Sequence, residues 1–434
     1  MKKIFFIAVF VAFHLSVVAQ DNLLTIENAV QIALVNNQSV KAAKLSEDIA
    51  QLQVFKGNAG MRPRLDYNAN VGSAFNRVKQ ELSNGTSTLR PNGRSFTPNT
   101  NVAFSWLLYD GKRMFATYQK LGLQSELSSV KGKQTNEQVI SAVMKAYYEI
   151  VRQKQTLKTL NVIIKYYQDR VNIAQQRWEF GKGSKLDFLQ SQVDLNTQKA
   201  EAVRVNNALI NAKTSLNGIL ERDLATEYEV SDFPPLELGI NTLDELKDKA
   251  RQANKDLLLS KKNIQISQTA EKEAESLRKP RVTLNSSYGF SLNSSNAGFI
   301  LINQNLGLNT SISATWNIFN GEITRRQIQT AKLNTKLLET QQEDVWAQIS
   351  SLLRKAYNQF QTDKQLLELE EANLALAEEN LNIAFEKFKL GSSTILELNQ
   401  AQQSFDNVSN RLVTNRYNLK ISELEVLRLS GFLN

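Results

Sequence analysis

Apolar residues recur along this chain with two distinct periods. From Val139 to Trp178 a seam runs through Val143, Tyr147, Ile150, Leu157, Leu160, Ile164, Tyr167, Val171 and Ala174, interrupted at Lys154. Its 11 steps cover 39 residues, about 3.5 per step, which is the coiled-coil period. The stretches 133–180 and 322–390 contain neither Gly nor Pro over 48 and 69 residues. The longer one, as a single helix, would reach ~100 Å. Helices of that length must pack lengthwise against another helix, and the one that returns after a turn is the obvious partner. Four other segments alternate with period two. They are Leu65, Tyr67, Ala69, Val71 and Phe75; Val102, Phe104, Trp106 and Leu108; Val282, Leu284, Tyr288, Phe290 and Leu292; and Leu306, Leu308, Ile312, Ala314, Trp316 and Ile318. This predicts four strands of about ten residues or slightly more, the length of a tilted membrane-spanning strand. Tyr67, Phe75, Trp106, Tyr288 and Trp316 lie near strand ends, where membrane-interface aromatics sit. Hairpins covering a soluble core show the same alternation.

Both patterns occur twice. At an offset of 217, Thr25, Ala33, Asn37, Val40 and Arg62-Pro63 fall on Thr242, Ala250, Asn254, Leu257 and Lys279-Pro280. At an offset of 210, Trp106, Gly111, Ala146-Tyr147, Asn172-Ile173-Ala174, Gly181, Gln190 and Gln192 fall on Trp316, Gly321, Ala356-Tyr357, Asn382-Ile383-Ala384, Gly391, Gln400 and Gln402. Self-similarity of this kind marks a duplicated architecture. The offset changes between Pro63 and Trp106, where Ser83 to Thr88 and Pro91-Asn92-Gly93 read as a longer loop in the first copy. The chain thus divides into an N-terminal segment 1–19, a first repeat 20–220, an acidic linker 221–240 with Pro234-Pro235, and a second repeat 241–434. Each repeat reads as helix, strand, loop, strand, very long helix, turn, long helix.

The turns are well marked. Gly181-Lys182-Gly183-Ser184 ends one long helix and starts the next, and Gly391-Ser392-Ser393-Thr394 repeats it. Ser184 with Asp187, and Thr394 with Glu397, have capping-box spacing. A phosphate-loop reading of the first turn fails, because the glycine spacing is wrong and a helix precedes it where a strand is required.

Composition narrows the function. Lys2 and Lys3, the apolar run Ile4–Val18, and Val17 with Ala19 form a signal peptide with its cut after Ala19. Fifteen residues as a helix span about 22 Å, too short for a bilayer. Of the 434 residues one is His, at position 14, and none is Cys. The mature chain therefore has no thiolate or imidazole nucleophile, no Ser-His-Asp triad and no Cys/His metal site. No catalytic cluster, cofactor motif or metal site is expected. The net charge of +9 is spread without a dense basic run, so no nucleic-acid partner is expected. No later segment is apolar enough to cross a membrane as a helix. An exported chain of this kind is either soluble or spans by strands. Four strands cannot close a barrel, and lipid cannot satisfy open sheet edges. Three copies would pool twelve strands, with twelve long helices forming a tube.

Taken together, Leu24-Thr25 with Ala29-Val30, Ala33-Leu34 and Asn36-Asn37, Leu108-Tyr109-Asp110-Gly111-Lys112-Arg113 repeated as Ile318-Phe319-Asn320-Gly321, and Arg177-Trp178-Glu179-Phe180-Gly181 with Leu186-Asp187-Phe188-Leu189 carry a family likeness. The last motif is repeated as Lys387-Phe388-Lys389-Leu390-Gly391 with Leu396-Glu397-Leu398. The chain resembles the TolC-like outer membrane efflux proteins over nearly its whole mature length. The resemblance implies a mainly α protein with membrane β: a homotrimer with a 12-stranded β-barrel in the outer membrane and an α-barrel of long helical hairpins across the periplasm. It implies a passive exit duct for efflux or type I secretion, without cofactors, contacting outer membrane lipid and recruited by a periplasmic adaptor and an inner-membrane pump. By position, Asp187 and Glu397 match acidic gate residues, and Gln400 stands where a second acidic ring is usual. Phe388 replaces a Tyr and Ser393 an Arg that latch the gate elsewhere in the family. Gly181, Lys182, Gly183, Ser184, Gly391, Ser392, Ser393 and Thr394 are the adaptor-docking candidates. Tyr67, Trp106, Tyr288 and Trp316 are the interface aromatics. The rival expectation is a soluble periplasmic coiled-coil scaffold or adaptor.

Overall fold

The computed structural model describes residues 23–234, 242–297 and 300–433. The signal peptide with its cut after Ala19, and part of the linker, lie outside them. The elements in order are β1 (Leu23–Leu24), α1 (Ile26–Asn36), α2 (Gln38–Gln53), β2 (Arg64–Glu81), β3 (Ser87–Tyr109), α3 (Arg113–Glu179) and α4 (Lys185–Ile219). The second half continues with β4 (Glu229–Val230), α5 (Leu243–Ala253), α6 (Lys255–Ser276), β5 (Arg281–Ser295), β6 (Ile302–Thr315), α7 (Ile323–Leu390) and α8 (Ile395–Ser430). The chain forms two compact units, each drawn from both halves of the sequence. Of the described residues, one holds 23–44, 132–234, 242–256 and 346–433, and the other 45–131, 257–297 and 300–345.

In the helical unit the predicted seam is the core. Val143, Tyr147 and Ile150 are fully buried, and Leu160, Tyr167, Val171 and Ala174 nearly so. The seam ends at Trp178, which is 37% exposed. Tyr147 also organises a feature with no sequence signature. The two-residue strands β1 and β4 pair in parallel, and the Tyr147 hydroxyl donates to Leu24 O at 2.9 Å while accepting from Ser231 N at 3.0 Å.

Each repeat was expected to open with one helix. Instead the chain bends at Asn37 and at Asn254, which leave the helical region (ψ 129° and 127°). The same side chain serves two helices at each bend. Asn37 Oδ1 accepts from Ser39 N at 2.9 Å, and its Nδ2 donates to Ile219 O at the end of α4 at 3.0 Å. Asn254 Oδ1 accepts from Asp256 N at 3.0 Å, and its Nδ2 donates to Leu429 O near the end of α8 at 3.0 Å. An amide supplies both an acceptor for the next helix's free N–H and a donor for the returning helix's free C=O. Both copies of the repeat carry this joint, at the offset of 217.

The other unit carries a four-stranded antiparallel sheet in the order β2-β3-β5-β6. Its strands run to 18, 23, 15 and 14 residues, longer than the alternation suggested. The extra residues of the first copy lengthen its hairpin rather than its loop. The turn is only Leu82–Thr86, closed by Leu82 N to Thr86 O at 2.9 Å. Pro91 and Asn92 lie inside β3, between the pairs Asn76↔Gly93 and Val78↔Arg90. Two residues thus face Arg77 alone, a β-bulge, where a Pro without an N–H is tolerated. Trp316 and Ile318 fall beyond the end of β6. At the strand-to-helix junction Gly111 has φ +73°, and a Cβ there would come within 2.7 Å of Ser276 O, so only Gly fits.

Register gives the sheet two unlike faces. Tyr67 pairs with Val102, Val102 with Tyr288, and Tyr288 with Leu308. On that side Tyr67 is 71% exposed and Leu308 67%. On the other side Asn68 pairs with Asn101, and Asn285 with Ser311. The expected interface aromatics Tyr67, Trp106 and Tyr288 all stand on the apolar side, but Tyr288 is the central residue of β5 and Phe75 lies inside β2, not near strand ends as expected, because both strands run on past the alternating stretch. Trp106 Nε1 donates to Met61 O at 3.2 Å, and Trp316 Nε1 to Arg278 O at 3.0 Å, so both indoles also anchor the chain entering the neighbouring strand.

The Asn254 joint is testable. Asn254→Ala removes both bonds and leaves the Leu429 carbonyl buried without its donor, a loss of about 1–3 kcal/mol. The midpoint of thermal unfolding, followed by helical circular dichroism in detergent, should fall more for Asn254→Ala than for the half-buried Asn37→Ala.

Candidate functional site: the helix-turn tips

Both tips are built the same way. Gly181 (φ +68°) ends α3, with Gly181 N donating to Trp178 O at 3.0 Å and Lys182 N to Arg177 O at 2.7 Å. Gly391 (φ +83°) ends α7, with Gly391 N to Phe388 O at 3.1 Å and Ser392 N to Lys387 O at 3.0 Å. These paired bonds are the Schellman motif, which needs a left-handed residue after the helix. Ser184 then caps α4 by accepting from Leu186 N at 3.1 Å, and Thr394 caps α8 by accepting from Glu397 N at 3.3 Å.

The expected capping boxes are incomplete. Among the described residues the Asp187 carboxylate has no hydrogen-bond partner, and the Glu397 carboxylate accepts instead from Ser393 Oγ at 2.5 Å. The complete box is at Thr242 and Glu245, where α5 begins. The Asp187 carboxylate is thus not held back on its own helix end, whereas that of Glu397 is tied to the residue before its N-cap. Asp187 is half-buried, and Glu397 and Gln400 are exposed.

The structure brings the two tips together. The Arg177 guanidinium lies over the buried Phe388 ring, 4.8 Å from its centroid, and a Cβ on Gly391 would meet Arg177 Nη2 at 2.8 Å. Phe388, standing where a hydrogen-bonding Tyr was expected, therefore contacts the first tip through a cation–π contact. Trp178 stacks on Phe188 with centroids 5.6 Å apart, and Lys185 covers the indole. Lys182, Gly183, Ser184, Ser392 and Thr394 are exposed, and Ser393 is half-buried. At equivalent positions both tips project bare apolar side chains: Phe180 and Leu390 are 75% and 80% exposed, Leu186 and Leu396 both 72%.

A polar cluster that sequence reasoning missed lies one turn and more from the tips. Arg170 on α3 is fully buried. Its Nε donates to Ser191 Oγ at 3.2 Å and its Nη2 to Asp194 Oδ2 at 2.6 Å, both on α4. Its Nη1 donates to Gln402 Oε1 at 3.0 Å and also to Asn399 Oδ1, both on α8. One guanidinium thus ties three helices. Beside it Tyr167 OH donates to Asp406 Oδ2 on α8 at 3.3 Å. Burial pushes the Asp406 carboxyl up to about 6, partly offset by the Tyr167 bond, and pushes the Tyr167 phenol up as well. The one available signal was a charged residue adjacent to Val171, on the helix face that the apolar seam buries.

Comparison with known proteins decides the assignment. The model of the family described as outer membrane efflux protein matches residues 29–221 and 246–431. The chain belongs to this family. It is an outer-membrane exit duct of an efflux or secretion system, and conduction rather than catalysis is its function. Among relatives of the family, the proteases secretion protein PrtF of Dickeya chrysanthemi is 18% identical, over 94% of this chain and 88% of its own. The outer membrane protein TolC of Escherichia coli is 20% identical, over 94% and 83%. The alkaline protease secretion protein AprF of Pseudomonas aeruginosa is 22% identical, but the match spans only 47% of this chain and 41% of that protein. The fold is that of the outer-membrane channel OprN, with a TM-score of 0.77 at 15% identity over 94% of this chain and 89% of that one. The outer membrane protein VceC of Vibrio cholerae superposes with a TM-score of 0.73, over 94% and 96%. Among the described residues no helix of this efflux protein is long and apolar enough to cross a membrane.

Two outcomes test the buried cluster. A carboxyl whose folded pKa lies above its unfolded value adds stability that is full below pH ~4 and lost as pH rises through ~6. Asp406→Asn keeps the acceptor for Tyr167. It should therefore raise the melting midpoint at pH 7.5 and remove the gain that the parent shows as pH falls from 7.5 to below 4, up to about 3 kcal/mol over that whole range. Arg170→Met takes the cation from the half-buried Asp194, which keeps its bond from Gln190, and leaves the buried Gln402 Oε1 without its donor, a loss of about 1–3 kcal/mol. Hydrogen exchange should then quicken in 185–194 and 395–406, with 139–151 unchanged.

Proposed function

We propose that three copies of the chain assemble into one duct. The observation that carries this reading is the sheet itself: β2 and β6 are its edges, and its apolar face is uncovered. Edge N–H and C=O groups have no partner in lipid, so β6 of one copy pairs with β2 of the next until twelve strands close. The apolar side then faces outer membrane lipid, with Tyr67, Trp106 and Trp316 at its interfaces, and the polar side faces the lumen. The helices of the three copies form the periplasmic tunnel. Residues 1–19 direct the chain's own export as a signal peptide and are then removed after Ala19.

The tips are the working end of the tunnel. Phe180, Leu186, Leu390 and Leu396 offer two repeat-related apolar contacts around Gly181–Ser184 and Gly391–Thr394, a surface suited to a periplasmic adaptor that couples the duct to an inner-membrane pump. Asp187 and Glu397 line the constriction, with Gln400 as an uncharged neighbour. The resting state is held through Arg177 on Phe388 and through the Arg170 cluster, in place of a Tyr and Arg latch. A soluble scaffold would leave the whole apolar sheet face in water, which disfavours that alternative. The names of PrtF and AprF concern protease secretion, which makes polypeptide one cargo class for this duct.

Gly391 is a poor position to probe docking, because a side chain there collides with Arg177. The exposed apolar pair is better. Phe180→Ser with Leu390→Ser should leave outer-membrane level and assembly unchanged while abolishing export and adaptor crosslinking. Retained export at normal protein level would remove the tips as the docking surface.

A further inference from the structure

The polar side of the sheet is almost free of charge. On β2 the polar positions from Asn68 to Asn76, and the residues registered with them on β3, β5 and β6, are Asn, Ser, Thr, Gly and Ala. The charged exceptions on this side are Arg64, Asp66 and Arg281, at the strand ends next to the helices, and Arg90, which pairs with Val78 in the distal part of the first hairpin. Arg64 and Asp66 neutralise each other at 2.7 Å. Amides are joined across strands: Asn68 Nδ2 donates to Asn101 Oδ1 at 3.0 Å, and Ser105 Oγ to Asn285 Oδ1 at 3.0 Å. An open hollow of about 920 Å³ is lined by residues of this side, among them Asn68, Asn285 and Asn309, with the Arg64–Asp66 pair at its edge.

We infer that the middle of this side, the positions registered with Asn68 to Asn76, is an exit wall without a charge filter, so that this part of the barrel passes hydrogen-bonding solutes and polymer segments of either sign. The inference rests on the proposed assembly, which puts the polar side in the lumen. A pore selects ions by rings of fixed charge, and a three-fold barrel turns each wall residue into a ring of three. Rows of amides and hydroxyls hydrate a passing chain without holding its acidic or basic stretches. A polymer of mixed charge, such as unfolded polypeptide, meets no electrostatic trap along such a wall. Charge discrimination is left to the tips.

Reversal potentials across planar bilayers under a salt gradient test this. Asp187→Asn with Glu397→Gln removes the tip carboxylates. In that background the cation-to-anion permeability ratio should fall between about 0.5 and 2. Adding Asn101→Asp and Asn285→Asp, which keep the acceptors used by Asn68 and Ser105, should raise it above about 5. The matched changes Val102→Thr and Leu308→Thr on the opposite side should leave it where it was. A ratio above about 5 in the tip-neutral background, or no response to the wall aspartates, overturns the inference while leaving a conducting channel. Absence of conductance in every variant, parent included, overturns the assembly and the inference with it.

Discussion

An open sheet edge cannot face hydrocarbon. Each unpaired N–H or C=O there costs several kcal/mol, and a four-stranded sheet has two such edges. The rest of the account depends on this constraint. It makes a single copy incomplete as a membrane protein, it explains why so apolar a face is left uncovered, and it orients the two faces once the edges are joined. Register does the remaining work. With period two, one set of pairings places Tyr67, Val102, Tyr288 and Leu308 on one side and the asparagines on the other, and a one-residue slip would exchange them.

The helical part meets a different demand, since helices of 67 and 68 residues must have their ends satisfied and their length packed. The duplicated chain solves both by repetition. Schellman turns at Gly181 and Gly391 close the C-terminal ends of these helices, Asp110 and Asn320 accept from Met114 N and Thr324 N at their N-terminal ends, and the amides of Asn37 and Asn254 close the ends of the returning α4 and α8. The seam buries the length. Where the repeats differ, function enters. Arg170 falls on Asn380 at the offset of 210, and only the first copy carries the guanidinium that binds α3, α4 and α8 together. The clamp near the tips is therefore asymmetric between the two similar hairpins.

Much of this was legible beforehand. The seam, the glycine turns and the alternation each report a local period, and local periods are what a sequence states most directly. The strand lengths were not legible, because past Phe75 the outer hairpin carries Arg77, Lys79 and Glu81 and pairs through its backbone with no apolar pattern to announce it. The bulge at Pro91 was read as loop for the same reason: Pro and Gly signal an interruption, and only the partner strand shows that pairing resumes. The breaks at Asn37 and Asn254 were hidden by residues of tolerable helix propensity whose second role, binding a helix end some 180 positions away, is tertiary. The Arg170 cluster needed the same knowledge, since its partners at 191, 194, 399 and 402 meet only when three helices are packed.

Three-fold closure of the sheet is the claim on which the wall, the tunnel and the ring of tip carboxylates all stand. The most direct measurement is the mass of the protein solubilised gently from outer membrane, taken together with its β-sheet content. The account predicts a complex of three chains that loses its β signal when it dissociates. A folded single chain that keeps the full β signal in detergent would contradict it.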